Sequence, residues 1–473
     1  MIFSKSTFIA ASSALLIVFG ASAPARAAPS IVVDVASGAV LSHDQATASW
    51  YPASLTKLMT AYVALDAVRQ GRISLDTPVM MSPRACRMAP SKMGFRPGSE
   101  VTLHNALVML MVKSANDIAV AIAEGVSGSV EAFADEMNRA SASLGMTQSA
   151  WVNPNGLPDD RQVTSARDLA ILGRALYVQF PEHANLFNIG AMQLGRQIIP
   201  THNQMLGRYP GADGMKTGFT CPAGFNLVAS ATRGGRRLIA VVLGAPNPML
   251  RTAKTSALLD RGFQSGAALA SLSSLPNTGP TAAPDMREAV CHHRGPAAAQ
   301  FLAEIEEASA PVAATGIPLL DTMSPAQPHM NAKEVARLPR PRFEAVSVYV
   351  GRAPGYVGPV ARTRAPGAPV GEQDDLSAYA SQPEPGDANA SPISKPAPDA
   401  VSLRRAAKHA KAVKAARAAK AEDAKVQVIE AEPAVKPKAT KHAAKPKTAA
   451  PPAEVQKRAV APKTRAATEQ GKS

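Results

Sequence analysis

The sequence predicts an α/β chain of the α+β kind: an antiparallel sheet flanked by helices, with a helical lobe inserted between its strands and a basic tail behind it. Three observations carry this. Apolar hairpins stand near both ends of the first half of the chain, helical periodicity fills the stretch between them, and the composition changes beyond about residue 270. Of 473 residues 46% are apolar, yet only 4% are aromatic and 40 are proline, the balance of a folded part diluted by an unfolded one.

The chain opens with Lys5, a mainly apolar run from Phe8 to Phe19, and Ala25-Arg26-Ala27 before Ala28. A positive start, an apolar centre and a small-x-small end predict a signal peptide over residues 1–27, cleaved after Ala27. The apolar run is too short to cross a bilayer about 30 Å thick, and no later stretch is long enough. The mature protein is therefore expected to be exported, to the periplasm or cell envelope.

Ile31 to Val35, a Ser37-Gly38 turn and Ala39 to Leu41 read as a hairpin. Ser54 to Arg69 places Leu55, Leu58, Met59, Tyr62 and Val63 at a helical period. Further helices are expected over Leu103–Glu124, Val130–Leu144 and Ser165–Tyr177. Phe225 to Ser230, a Gly234-Gly235 turn and Leu238 to Leu243 form a second hairpin, and a helix over Thr252–Phe263 closes the unit at about residue 268. Residues 269–352 are expected to be a linker holding a short helix at Ala297–Ala308 and a strand at Phe343–Val350. Residues 353–473 are expected to be a disordered Lys/Ala/Pro-rich tail, because no aromatic residue follows Tyr379 and so little apolar surface cannot offset chain entropy. Residues 401–473 hold 18 Lys/Arg against 6 Asp/Glu, so most of the net charge of +15 belongs to the tail and not to the fold.

Three short motifs bear on chemistry: Ser54-Leu55-Thr56-Lys57, Ser114-Ala115-Asn116 and Lys216-Thr217-Gly218. Each is weak alone. Pro52-Ala53 sets Ser54 near a helix start, and Lys57, three residues on, shares its face. Serine needs a neighbouring base, and lysine is one only when burial or nearby positive charge lowers its pKa. Lys216 supplies such a charge and a site for an anionic substrate group. Ser114 is placed to relay a proton to a leaving amine, and Asn116 to orient Lys57 or a substrate amide. Gly218 allows close backbone approach. The chemistry implied is acyl transfer through a serine ester, without a His/Asp triad, metal or cofactor. Three cysteines and nine histidines show no zinc-ligand spacing.

In this order the motifs resemble those of the penicillin-recognising serine enzymes. The stretches Pro52 to Thr60, Ser114 to Asp117, Asn153 to Leu157, Asp213 to Thr220 and Ala223 to Ala231 are most similar to the D-alanyl-D-alanine carboxypeptidases of low molecular mass, over roughly residues 29–265. The resemblance implies a β-lactamase/transpeptidase-like serine DD-peptidase domain over residues 28–268. It makes Ser54 the acylated nucleophile, Lys57 the proton acceptor, and Ser114 with Asn116 a second wall. Lys216, Thr217 and Arg251 then bind the substrate carboxylate, and the backbone amides of Ser54 and Phe219 form the oxyanion hole. The substrate implied is the D-Ala-D-Ala end of a peptidoglycan stem pentapeptide, with β-lactams as covalent inhibitors.

Ala115 stands where this branch usually has glycine, and Phe219 where some members carry histidine. The family's small β-rich domain and its amphipathic anchor helix are not recognisable after residue 270, which leaves peripheral attachment to the membrane open. A DD-endopeptidase cutting cross-links uses the same residues and is the closest alternative. A class A β-lactamase needs a glutamate that is absent between Met137 and Pro181. A non-catalytic envelope-binding protein would not need the intact Ser54, Lys57, Ser114 and Lys216 set. The tail is read either as a solvated linker or as a segment drawn to anionic wall or lipid surfaces; export argues against a nucleic-acid partner. Cys221 has Cys86 and Cys291 as alternative partners, with one thiol left over.

Overall fold

The computed structural model describes residues 28–265, 268–310 and 332–364; the expected leader and the chain beyond residue 364 lie outside the described residues. Strands β1 (Ser30–Asp34) and β2 (Ala39–Asp44) form the first hairpin. A 3-10 turn over Ala53–Leu55 leads into α1 (Thr56–Arg69). Next come β3 (Pro78–Met80), the one-turn α2 (Pro83–Cys86) and β4 (Glu100–Thr102), with β3 and β4 paired antiparallel. Four helices follow: α3 (Leu103–Val112), α4 (Asn116–Ser127), α5 (Val130–Leu144) and α6 (Ala166–Gln179). A small hairpin of β5 (Ala191–Leu194) and β6 (Gln197–Pro200) precedes the meander β7 (Ala212–Thr220), β8 (Gly224–Arg233) and β9 (Arg236–Ala245). Then come α7 (Pro248–Gln264), β10 (Ala270–Ser271), α8 (Arg294–Ser309), α9 (Ala332–Arg337) and β11 (Val346–Val348).

The main sheet runs β10-β2-β1-β9-β8-β7, every pair antiparallel. Val32 lies opposite Ala240, so the first and last hairpins meet at the centre of the sheet. Strand periodicity then sorts two cores. Ile31, Val33, Ile239 and Val241 face the helical side, where Leu169 and Leu172 of α6 cover them. Val32, Leu238, Ala240 and Val242 face the other side, against Leu258 and Leu259 of α7 and, behind these, Phe301, Ile305 and Val335. Because central strands are covered on both faces, β1 is buried at all five residues.

Side chains of Thr102, Ser129, Ser165 and Asn247 accept the first free amides of α3, α5, α6 and α7, and left-handed Gly128 and Gly145 end α4 and α5. The helix expected over Leu103–Glu124 is in fact two. The chain breaks at Ser114, whose φ of 59° no helix accommodates. The break is held from outside: Ser91 O accepts the Asn116 amide at 2.7 Å and Ser91 Oγ donates to Lys113 O at 3.0 Å. Apolar periodicity continues through both halves, so it does not register the break.

Residues after 268 do more than connect. β10 adds to β2, α8 and α9 pack on α7, and Lys254 forms an ion pair with Glu304. β11 pairs in parallel with β5, and Val79 bridges to Ala361. The Arg364 amide donates to Gly128 O at 2.8 Å, so residues 353–364, expected within the tail, lie along the helical lobe. These segments are short, and their order comes from strand edges and helix ends that need backbone partners.

Candidate active site

The 3-10 turn over Ala53–Leu55 presents Ser54 at the head of α1, where β7 crosses it. That approach needs glycine. A Cβ on Gly218 would fall 2.9 Å from Pro52 O and 3.1 Å from Ser54 N, and one on left-handed Gly156 would fall 1.8 Å from Ala53 O. Asn226 on β8 fastens the turn, donating to Tyr51 O at 2.9 Å and to Pro52 O at 3.3 Å while its own oxygen accepts Gly244 N.

One helical turn beyond Ser54, Lys57 is fully buried. Its Nζ lies 3.1 Å from Ser54 Oγ, 2.7 Å from Asn116 Oδ1 and 2.5 Å from the Asn155 carbonyl. Burial first, and then the charge of Lys216, hold the ammonium pKa well below its usual range, with Asp117 pulling the other way. Among the described residues no carboxylate touches Nζ through a hydrogen bond, and its partners are neutral acceptors. Asp117, also fully buried, spends its oxygens on the amides of Met93, Gly94 and Ile118, which fixes the loop leading to Ser91.

The opposite wall is β7. Lys216 Nζ donates to Ser114 Oγ at 3.0 Å and to Thr217 O at 2.9 Å, and burial followed by the charge of Arg251 lowers its pKa to about 7. Arg251, on the first turn of α7, is buried, and burial lowers its pKa to about 10. Its Nη1 reaches Asn226 O at 3.5 Å, while Nε is buried without a hydrogen-bond partner. Such a donor suits an incoming anion. His202 belongs to this positive corner. Desolvation, then Lys216, Lys113, Arg340 and Arg251, lower its pKa to about 4, although part of the residue is exposed. Phe219 is 43% exposed and stacks on Phe225 with 4.0 Å between centroids, leaving its backbone beside Gly218 in the cleft.

The fold thus brings together Ser54, Lys57, Ser114, Asn116, Lys216, Thr217, Arg251 and Phe219. Sequence reasoning overlooked the Asn155 carbonyl, Asp117 and Asn226, although all three sit in the stretches that carry the resemblance. Cys221, just past β7, is disulfide-bonded to Cys291, and Cys86 is the free thiol, donating to Phe95 O at 3.3 Å. Among the described residues no cluster of three or more metal-ligand side chains occurs, and no helix is long and apolar enough to cross a membrane.

A family model described as D-alanyl-D-alanine carboxypeptidase matches residues 18–247. The chain is 37% identical over 273 residues to the D-alanyl-D-alanine carboxypeptidase DacC of Escherichia coli, covering 54% of this chain and 68% of that one. It is 33% identical to DacF of Bacillus subtilis, covering 50% of this chain and 62% of the relative. Among solved structures, penicillin binding protein 5 of Haemophilus influenzae aligns with 36% identity, over 52% of this chain and 73% of that one, at a TM-score of 0.49.

Proposed function

The chain belongs to the D-alanyl-D-alanine carboxypeptidase family, and from that premise we propose that it removes the terminal D-alanine of peptidoglycan stem pentapeptides through an acyl-Ser54 intermediate. The observation that carries this reading is the position of Lys57 Nζ, fully buried, 3.1 Å from Ser54 Oγ and held below its ordinary pKa.

Neutral Lys57 takes the Ser54 proton as Oγ attacks the carbonyl carbon of the penultimate D-alanine. The carbonyl oxygen, now negative, is met by the backbone amides of Ser54 and Phe219, and each such donor contributes about 3–4 kcal/mol. The C–N bond breaks as the proton that Lys57 took passes by way of Ser114 Oγ, which hydrogen-bonds Lys216 at 3.0 Å, to the leaving amine, and Lys57 is neutral again. The terminal carboxylate is held by Lys216, Thr217 and Arg251. Water, deprotonated by Lys57, then hydrolyses the ester and restores Ser54. Asn116 keeps Lys57 Nζ directed at the serine. A β-lactam enters by the same attack and remains as the acyl-Ser54 ester.

Residues 1–27 are proposed to export the chain to the periplasm or cell envelope. Residues 28–268 are the proposed catalytic domain, and the basic tail is a proposed contact to anionic envelope surfaces.

The test is D-alanine release from a pentapeptide muropeptide by the mature protein beside Ser54→Ala. The expected result is release by the wild type and a loss of at least about 10³-fold in the variant. Cleavage of a cross-linked muropeptide dimer to monomers, without free D-alanine from the pentapeptide, would replace this reading with a DD-endopeptidase.

A further inference from the structure

A cavity of about 80 Å³ lies against the turn that carries Ser54, lined there by Pro52 and Ala53. Gly156, Leu157 and Thr220 are among the other residues that line it. Asp285 and Arg287, from the segment that follows β10, also line it, beside Tyr51, Asp160 and Pro222. This segment is fixed. Cys291 is bonded to Cys221, the Met286 amide donates to Pro222 O at 2.9 Å, and Val290 is fully buried. Asp285 accepts the Arg287 amide at 2.8 Å and pairs with its guanidinium at 3.4 Å, yet both side chains remain more than half exposed.

The orientation of a bound peptide decides what this cavity meets. β7 is the terminal strand of the sheet. Lys216, Thr217 and the buried Arg251 mark its carboxylate end, so a peptide lying along β7 with its C-terminus there sends its preceding residues towards Thr220. Beyond the residue that acylates Ser54, the chain enters the cavity. There it meets polar groups of both signs: Asp160 and Asp285, which flank Tyr51, and Arg287.

We infer that the segment Asp285–His293, tethered to the end of β7 by the Cys221–Cys291 disulfide, is a specificity wall that reads the acyl side of the substrate, favouring a peptide whose side chain upstream of the D-alanine pair ends in a charged group. The inference rests on the proposed carboxypeptidase reading and adds to it residues that do no chemistry. An ammonium on the substrate side chain is met by Asp285 and a carboxylate by Arg287. The disulfide keeps this wall in register with Thr220.

The test compares two substrates. One is an acylated tripeptide ending in D-Ala-D-Ala whose upstream side chain is capped and neutral. The other is a pentapeptide whose upstream side chain ends in free charged groups. The quantity measured is the ratio of their kcat/KM values, in the wild type, Asp285→Asn, Arg287→Gln and Cys221→Ser/Cys291→Ser. The ratio is expected to fall about tenfold in the double cysteine variant and in at least one charge variant, the size of a lost hydrogen bond to a charged group. A ratio unchanged in every variant would overturn the inference and leave the segment a structural brace, with the carboxypeptidase reading intact. Should the double cysteine variant fail to fold, the two charge variants, which keep the disulfide, decide. No D-alanine release by the wild type from either substrate would overturn both readings together.

Discussion

The interior of this protein holds two regions that are equally deep and differently composed. Between the sheet and α6, Ile31, Val33, Ile239 and Val241 meet Leu169 and Leu172, apolar against apolar. At the cleft, Lys57, Lys216 and Arg251 are buried just as thoroughly, three basic groups with no carboxylate bonded to any of them among the described residues. The first region lowers the free energy of the fold. The second raises it, since burying charge without a partner is costly, and the three groups respond with depressed pKa values. The lesson is that the site's destabilising features are the ones the proposed chemistry uses: a lysine with a depressed pKa beside a serine, and a buried cluster of positive groups suited to an anionic substrate end.

The sharpest way to break this comparison is Lys57→Met. Activity on a D-Ala-D-Ala peptide is expected to fall about 10³-fold, while Tm rises. The sign follows from linkage. The folded-state pKa of Lys57 lies below its unfolded value, so the unfolded chain binds the extra proton. Stability attached to this residue therefore grows with pH up to the ordinary lysine range and is lacking at neutral pH. Methionine removes that penalty, and a lower Tm in the variant would contradict the account.

Leu172→Ala makes the opposite case. It opens a cavity under the sheet and is expected to cost about 2–5 kcal/mol in denaturant unfolding, with kcat/KM of the folded protein unchanged. Next in size is Gly218→Ala. Its Cβ meets Pro52 O and Ser54 N, backbone atoms that must shift to admit it, so kcat of the folded variant is expected to drop about 10²-fold. The smallest effect is one of pH. Lys216 loses its proton as pH rises through about 7, so the preference for a free C-terminal carboxylate over the amide should shrink several-fold across that range. A preference independent of pH would remove Lys216 from carboxylate binding.

Much of this was legible from the sequence, for identifiable reasons. Ser54 and Lys57 sit one helical turn apart, so their spacing already places them on a common face. The sheet was legible because its two hairpins alternate or run apolar for five or six residues between glycine turns. Other features left no such mark. The third acceptor of Lys57 is the backbone carbonyl of Asn155, which any residue type supplies. The break at Ser114 is a matter of one φ angle within an uninterrupted apolar period. The pairing of Cys221 with Cys291 spans 70 residues of sequence and depends on how the segment after β10 folds back. β11 and residues 353–364 contribute one buried residue each, Val348 and Ala361, and what orders them is the free edge of β5 and the end of α4.

The central claim is that Ser54 is an acylable nucleophile served by a neutral buried lysine. Intact-mass measurement of the mature protein after incubation with a penicillin, followed by peptide mapping, tests it most directly. One covalent adduct is expected, on the peptide containing Ser54, absent from Ser54→Ala and slowed in Lys57→Met. No adduct on the wild type, or an adduct that persists in Ser54→Ala, would contradict it.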